Sequence, residues 1–237
     1  MSHEFATTRW SRVLRAGRGS ASASHEALSG LCTTYWYPLY AYARRRGHGA
    51  DDALDLTQGF LATLLAGKAL RNVDPRRGRF RAFLLGAFEH YAAKQRRFWN
   101  ALKRGGGRKT LEFDAGDAEA RYQLEPADTR TPQKLYEASW ARILIARAFE
   151  SVRVEYASGG KGELFDRLRA HLTDEASDEG YRAIAAEFEM TEGALKVAVH
   201  RLRKRFRAAL ESEIADTVDD PGEVQDEIHH LFEALGG

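Results

Sequence analysis

The chain has 237 residues, of which 43% are hydrophobic and 30% charged, and its net charge is +2. This length fits one large domain or two small ones, and the hydrophobic content is sufficient for packed cores. No apolar run reaches the roughly 18–20 residues that span a bilayer, and no signal-like segment opens the chain, so we expect a cytoplasmic protein without membrane insertion. The single cysteine, Cys32, excludes an internal disulfide and argues against a cysteine-based metal site, and no cofactor is predicted.

The low net charge hides a strong segregation of charge along the chain. Residues 67–109 contain thirteen Lys or Arg against two acids, and residues 191–207 contain six against Glu192 alone. Residues 211–237 contain nine acids and no Lys or Arg. Two basic blocks and an acidic tail are typical of a protein with two separate polyanion contacts, although solvated basic faces without a ligand remain an alternative.

Apolar residues recur at helical spacing almost throughout, which predicts an all-α fold. In chain order, the pattern predicts an aromatic-rich helix over 31–46 that ends at Gly47, and a helix capped by Asp51 or Asp52 that runs to about Leu65. A basic turn follows at 74–79, and a long helix then begins at Phe80. We expect Phe83, Phe88 and Tyr91 to be core residues of that helix.

The pattern of the second half of the chain predicts a separate helical domain. The polar stretch that follows Gly105-Gly106-Gly107 predicts a flexible linker. The expected organisation is an N-terminal helical domain over 1–105, a linker over 106–130, a C-terminal helical domain over 131–210 and an acidic extension over 211–237. The extension predicts an amphipathic helix with Val224, Ile228, Leu231, Phe232 and Leu235 on its apolar side. It either caps the second domain, which we favour, or masks a DNA-binding surface.

The sharpest local pattern is the helix-turn-helix predicted over 181–207. A short helix is followed by the turn Glu189-Met190-Thr191, and Thr191 is a good N-cap for a longer second helix. The second helix has apolar residues on one side and basic residues on the other, the pattern of a helix that enters the DNA major groove.

These residues resemble the sigma-70 family of RNA polymerase subunits, in particular the small extracytoplasmic-function (ECF) type. The stretch 191–206, TEGALKVAVHRLRKRF, is similar to the signature of the family's region four, which reads the −35 promoter element. Upstream, 52–61 (DALDLTQGFL) and 74–84 (DPRRGRFRAFL) are similar to region two, which binds the polymerase clamp and opens the −10 element. The resemblance covers roughly residues 30–105 and 135–210.

The resemblance implies a non-enzymatic promoter-specificity subunit, and it assigns residues to three surfaces. Four residues are predicted to contact base edges in the −35 element: Glu192, Lys196, Val197 and His200. Four more are predicted to contact its phosphates: Arg201, Arg203, Lys204 and Arg207. The predicted single-strand contacts at −10 combine basic residues with aromatic rings that stack on bases: Arg76, Arg77, Arg79, Phe80, Arg81, Lys94, Arg96, Arg97, Phe98 and Trp99. The predicted polymerase-binding residues are Asp52, Asp55, Gln58, Gly59 and Phe60.

One departure from the family pattern suggests regulation. Asp52, Asp55, Gly59 and Thr63 share a helix face that is more acidic in relatives, since Leu54 and Gly59 stand here for two carboxylates. Phosphorylation of Thr63 would restore negative charge, although an ordinary exposed threonine is the favoured alternative.

The implied partners are core RNA polymerase, through its clamp and flap, and promoter DNA in duplex and single-stranded form. An anti-sigma factor or a Ser/Thr kinase is left open as a controlling partner. A stand-alone helix-turn-helix regulator is the main alternative function. A metal-dependent enzyme built on His48, Asp51, Asp52 and Asp55 is disfavoured, because these acids also fit an ordinary helix start.

Overall fold

The computed structural model describes residues 21–66, 79–101, 115–125, 128–172, 178–215, 217–218 and 221–236. Every regular element in these ranges is a helix, and they contain no strand, which confirms the all-α class. The nine α-helices of the described ranges are α1 Ala21–Arg45, α2 Ala50–Leu65, α3 Phe80–Ala101, α4 Ala115–Gln123, α5 Pro132–Ser158, α6 Gly162–Leu168, α7 Asp178–Glu187, α8 Glu192–Ala215 and α9 Val224–Gly236. Short 3₁₀ turns occupy Arg169–His171 and Pro221–Glu223.

The helix boundaries follow local signals in the sequence. Gly47 ends the turn after α1 with a φ of 89°, a left-handed conformation that glycine adopts without steric cost. The predicted cap of α2 is wrong, because Gly49 is the N-cap. The chain is already helical when it reaches Asp51 and Asp52, so their carboxylates lie in the first turn, where they favour the helix dipole.

The chain divides into two compact units, residues 1–143 with 215–237, and residues 144–214. The division falls inside α5, whereas the sequence predicted a linker over 106–130 and a second domain from 131. The first half of α5 belongs to the first unit because its Tyr136 and Trp140 are buried, and the Tyr136 hydroxyl donates to the Arg81 carbonyl at 3.2 Å. The helix α9 also belongs to the first unit, so the favoured expectation that it caps the second domain is wrong.

The core of the first unit is built around the aromatic residues of α1. Tyr35 is fully buried, and its ring meets that of Phe80 on α3 edge to face at a centroid distance of 5.3 Å. Phe88 on the same helix contacts Phe60 of α2 in the same way at 5.4 Å. Cys32 is buried as well, and burial raises the pKa of its thiol to about 12, as expected for a packed residue.

The helix α4 lies in the segment predicted as a flexible linker, and polar contacts hold it on α1. The Arg44 guanidinium donates two hydrogen bonds to the Glu119 carboxylate, at 3.0 and 2.9 Å, and the Tyr40 hydroxyl donates a third. A neighbouring contact joins the Tyr37 hydroxyl to Glu125 at 2.6 Å. The hydrogen bonds from Arg44 and Tyr40 lower the pKa of Glu119 to about 2.

The second unit has a separate core formed by α7, α8, α6 and the end of α5. Leu168, Leu195 and Leu202 are fully buried at its centre. The remaining buried members are Val152, Tyr156, Phe165, Ile184, Ala185 and Val199. This core fixes α7 against α8, and it leaves the outer side of α8 free of apolar packing.

We expect Glu119→Gln to lower the free energy of unfolding by about 1–2 kcal/mol at neutral pH, because it removes the carboxylate that accepts from Arg44 and Tyr40. The folded pKa of Glu119 lies below its ordinary value of 4.5, so this stabilisation is present above about pH 4.5 and is lost as the pH falls towards 2. Urea unfolding at several pH values measures the difference between parent and variant. Asp55→Asn, which neutralises an exposed acid of the same unit, is the control. If the difference in unfolding free energy between parent and Glu119→Gln stays constant down to pH 3, the lowered pKa of Glu119 is contradicted.

Candidate nucleic-acid interface

The turn between α7 and α8 closes with a hydrogen-bonded motif that fixes the angle of the second helix. The Met190 amide donates to the Ala185 carbonyl at 2.8 Å, and the Glu189 amide donates to the Ala186 carbonyl at 3.4 Å. Glu189 has a φ of 51°, the left-handed conformation that this helix ending requires. The predicted turn is present, but it has four residues, 188–191, instead of three, because α7 already ends at Glu187.

Thr191 begins the second helix in the predicted way. Its side-chain oxygen accepts a hydrogen bond from the Ala194 amide at 3.1 Å, and its carbonyl accepts from Leu195 at 3.0 Å. These contacts satisfy an amide that would otherwise be unpaired at the start of the helix. The prediction of Thr191 as the N-cap is confirmed.

The outer side of α8 presents six of the eight residues that the sequence predicted for duplex recognition. These six are exposed: Lys196, Val197, His200, Arg201, Lys204 and Arg207. Val197, with 49% of its surface exposed, is an apolar group among cations, a chemistry that suits contact with a thymine methyl. The Arg207 side chain also pairs with Glu211 one turn further along, at 3.0 Å.

The other two predicted residues, Arg203 and Glu192, are half-buried and engaged within the unit. The Arg203 guanidinium donates to the His171 carbonyl at 2.9 and 3.3 Å, so it braces the 3₁₀ turn after α6. Glu192 pairs with Arg182 of α7 at 2.9 Å. If Arg203 bound a phosphate, its guanidinium would have to contact the phosphate and the His171 carbonyl at the same time.

Sequence reasoning missed Arg182 as a candidate phosphate contact. Its side chain is 69% exposed, and its pairing with Glu192 places it beside the first turn of α8. Arg182 could have been predicted from the sequence by its position on the first helix of a helix-turn-helix, since that helix crosses the DNA backbone.

The second group of predicted DNA contacts is divided between exposed, buried and undescribed residues. Lys94, Arg96 and Arg97 are exposed along the second half of α3. Arg76 and Arg77 lie outside the described residues. Phe98 and Trp99 lie within α3, but their side chains are outside the described set.

Phe80 and Arg81, also predicted to bind the single strand, are buried, with 1% and 6% of their surfaces exposed. The Phe80 ring packs on Tyr35, so in this conformation it cannot stack on a base. The Arg81 guanidinium lies 4.6 Å from the centre of the Trp140 ring and forms an ion pair with Glu227 of α9. The expectation of exposed contacts at these two positions therefore needs correction, because the core of the first unit and α9 cover them.

Burial has an electrostatic consequence for Arg81. Desolvation lowers the pKa of its guanidinium, and the nearby charge of Arg79 adds to this effect. A guanidinium nevertheless keeps its charge at physiological pH, and a buried charge requires a partner of opposite sign. Glu227, with 2% of its surface exposed, is that partner.

The predicted polymerase-binding residues on α2 also fall into two groups. Asp52 and Asp55 are exposed, whereas Gln58 and Phe60 are buried, with 4% and 2% exposure. The two buried residues support the helix from within and offer no surface to a partner in this conformation. A Cβ atom at Gly59 would lie 2.5 Å from the Tyr91 hydroxyl oxygen, so a carboxylate at this position would force Tyr91 to move.

Thr63 is half-buried, and its hydroxyl donates to the Gly59 carbonyl at 2.8 Å, one turn earlier in α2. This bond within the helix is one that threonine commonly makes. Phosphorylation of Thr63 stays a prediction.

We expect Glu189→Gly to raise the free energy of unfolding of the second unit by about 0.5–1 kcal/mol, because glycine adopts the left-handed conformation without a Cβ clash. The control is Ala186→Gly, at an exposed helical position three residues earlier, where glycine should instead cost about 1 kcal/mol. Thermal unfolding followed by circular dichroism measures both. Equal destabilisation by the two glycines would contradict the geometry of the turn.

In the described residues, no helix combines the length and the apolar character that a membrane crossing requires. Comparison of the chain with protein-family models, with curated proteins and with solved structures found no match.

Proposed function

We propose that this chain is a promoter-specificity subunit that binds core RNA polymerase, recognises the −35 and −10 elements and assists DNA melting. The observation that carries the proposal is the outer face of α8. A capped second helix holds Lys196, His200 and Lys204 exposed on the side opposite its buried leucines. The order of the sequence motifs that resemble sigma region two and region four supports the same function.

The α8 face suits duplex DNA because it combines two kinds of contact. Lysine and arginine bind phosphates, which sets affinity and register without reading sequence. Lys196, Val197 and His200 lie in the first half of the helix, the part that reaches base edges in a helix-turn-helix. Arg201, Lys204 and Arg207 follow and serve the backbone, with Arg182 as an additional phosphate contact.

The second half of α3 suits an unpaired strand. Lys94, Arg96 and Arg97 are exposed cations on one helix, and the aromatic residues Phe98 and Trp99 follow directly in sequence. Binding of single-stranded DNA requires cations that follow the phosphate backbone and aromatic rings on which unpaired bases stack.

The proposed polymerase contact is the exposed acidic start of α2. Asp52 and Asp55 are exposed carboxylates that a basic clamp surface could contact. In this proposal the surface is less acidic than in the family pattern, and a kinase acting on Thr63 would add charge. Equal polymerase binding by Thr63→Ala, Thr63→Glu and the parent would argue against a role for this threonine.

The second candidate function is a stand-alone helix-turn-helix regulator, which the α8 face alone would satisfy. It leaves the basic residues of α3 without a role. The two functions differ in whether the purified chain joins core polymerase.

Two assays on the full-length chain test the proposal. A pull-down with core RNA polymerase is expected to retain the chain, and run-off transcription on a promoter library is expected to select a pair of elements. Specific duplex binding without any association with core enzyme would support the stand-alone regulator and reject the proposed function.

We expect Lys204→Ala to weaken binding to all duplex sequences alike and to reduce the slope of log affinity against log salt concentration by about 0.9, since one phosphate contact is lost. By contrast, His200→Ala should change the preference at one base pair. The control is Lys161→Ala, at an exposed lysine before α6, which should leave the slope unchanged. Fluorescence anisotropy at several salt concentrations measures these effects. An unchanged slope for Lys204→Ala would remove this residue from the interface.

A further inference from the structure

The helix α9 places an acidic side chain on the basic residues that begin α3. Residues 221–236 contain the acids Glu223, Asp226, Glu227 and Glu233 and no Lys or Arg. Of these four, Glu227 is buried, with 2% of its surface exposed, whereas Glu223, Asp226 and Glu233 are exposed. The buried acid therefore faces the first unit.

Two arginines share the Glu227 carboxylate. The Arg79 Nε atom lies 2.8 Å from Glu227 Oε2, and the Arg81 Nη1 atom contacts Glu227 Oε1. Both arginines belong to the set that sequence reasoning assigned to the single strand. Both oxygens of the Glu227 carboxylate are therefore in ion-pair contact with guanidinium groups, which would also pair with a phosphate.

The rest of the α9 contact is only partly apolar. Leu231 is fully buried, and Ile228 and Leu235 are half-buried, but Phe232 is 53% exposed, contrary to its predicted place on the apolar side. Near the end of the helix, the Arg130 guanidinium donates to the Ala234 carbonyl at 3.3 Å. The attachment thus combines one fully buried leucine and two half-buried apolar side chains with polar contacts.

A polar cleft runs beside this contact. It has a volume of about 250 Å³, and its lining includes the cationic side chains of Arg79, Arg81, Arg130 and Lys134 together with Glu137. The α9 residues on its edge are His230, Glu233 and Ala234. Arg79, with 34% of its side chain exposed, is open to an anion that enters this cleft, whereas Arg81, with 6%, stays covered.

We propose that α9 is a displaceable cover over Arg79 and Arg81, in which the Glu227 carboxylate occupies the place of a nucleic-acid phosphate. The inference rests on the proposed function, because it takes these arginines as single-strand contacts. It explains why residues with the expected chemistry are buried here. Single-stranded DNA and α9 then compete for the same two guanidinium groups, and the covered fraction of molecules lowers the apparent affinity.

The alternative is that α9 is a permanent part of the first unit and that Glu227 only neutralises a buried Arg81. In that case the loss of its charge weakens folding and leaves nucleic-acid affinity unchanged. The two models therefore predict different results for the same variant.

The test compares Glu227→Gln with Asp226→Asn in the full-length chain. Both remove one negative charge from adjacent positions of α9, but only Glu227 is buried on the arginines. We expect Glu227→Gln to bind a fluorescein-labelled single-stranded oligonucleotide roughly tenfold more tightly than the parent, the gain for a cover that is closed in about nine molecules of ten. Asp226→Asn should stay within about twofold of the parent. Equal affinities of the two variants for the oligonucleotide would overturn the proposal that α9 covers a nucleic-acid site.

A second measurement on the parent protein does not depend on how the variant folds. Amide hydrogen exchange in residues 224–236 should become faster when the oligonucleotide is saturating, because binding releases the helix. Unchanged exchange in the bound state would overturn the cover. If circular dichroism shows that Glu227→Gln is unfolded, this measurement decides the question.

The polymerase pull-down is run in parallel with the same proteins. A parent that joins core enzyme, with no difference between Glu227→Gln and Asp226→Asn, rejects the cover and leaves the proposed function standing. A parent that never joins core enzyme, with a tenfold gain in Glu227→Gln, rejects the polymerase role and supports the cover on a nucleic-acid site.

Discussion

The first unit buries a charged guanidinium, that of Arg81, and must therefore supply a counter-charge for it. Arg81 is 6% exposed and lies over the Trp140 ring, where an unpaired cation would carry a large desolvation cost. Glu227 supplies the counter-charge from near the end of the chain. The pair therefore joins α3, the first half of α5 and α9 in one unit, and it explains why an acidic segment that follows the second unit in sequence belongs to the first unit.

The cations of α8 therefore differ in state from Arg79 and Arg81 at the start of α3. On α8, the cations stand on the solvent side of a helix whose other side is packed, and they are exposed although Arg207 pairs with Glu211. At the start of α3, the cations are already paired with a carboxylate. Under the proposed function, this difference would let duplex recognition come first and would make contact with a melted strand depend on release of α9.

Three tyrosine hydroxyls of α1 join other segments of the first unit to this helix. Tyr37, Tyr40 and Tyr42 of α1 donate to Glu125, Glu119 and Glu89, respectively. Each hydroxyl is thereby satisfied although most of its ring is buried, which is the usual condition for burying tyrosine. These contacts hold α4 and α3 on α1, and they give the polar segment around Glu119 a structural role.

The sequence by itself determined the features that depend on neighbouring residues. The C-terminal ends of α1 and α2, the turn at Glu189 and the cap at Thr191 could be predicted, because glycine conformation, capping and helical periodicity act over one or two turns. Only the tertiary structure decided that Phe80 and Arg81 are buried, that α4 packs on α1, and that α9 joins the first unit. Arg81 stands in a strongly basic stretch, so its local pattern predicts exposure. Its actual state depends on a carboxylate at position 227, and local patterns carry no information about partners so far apart in the chain.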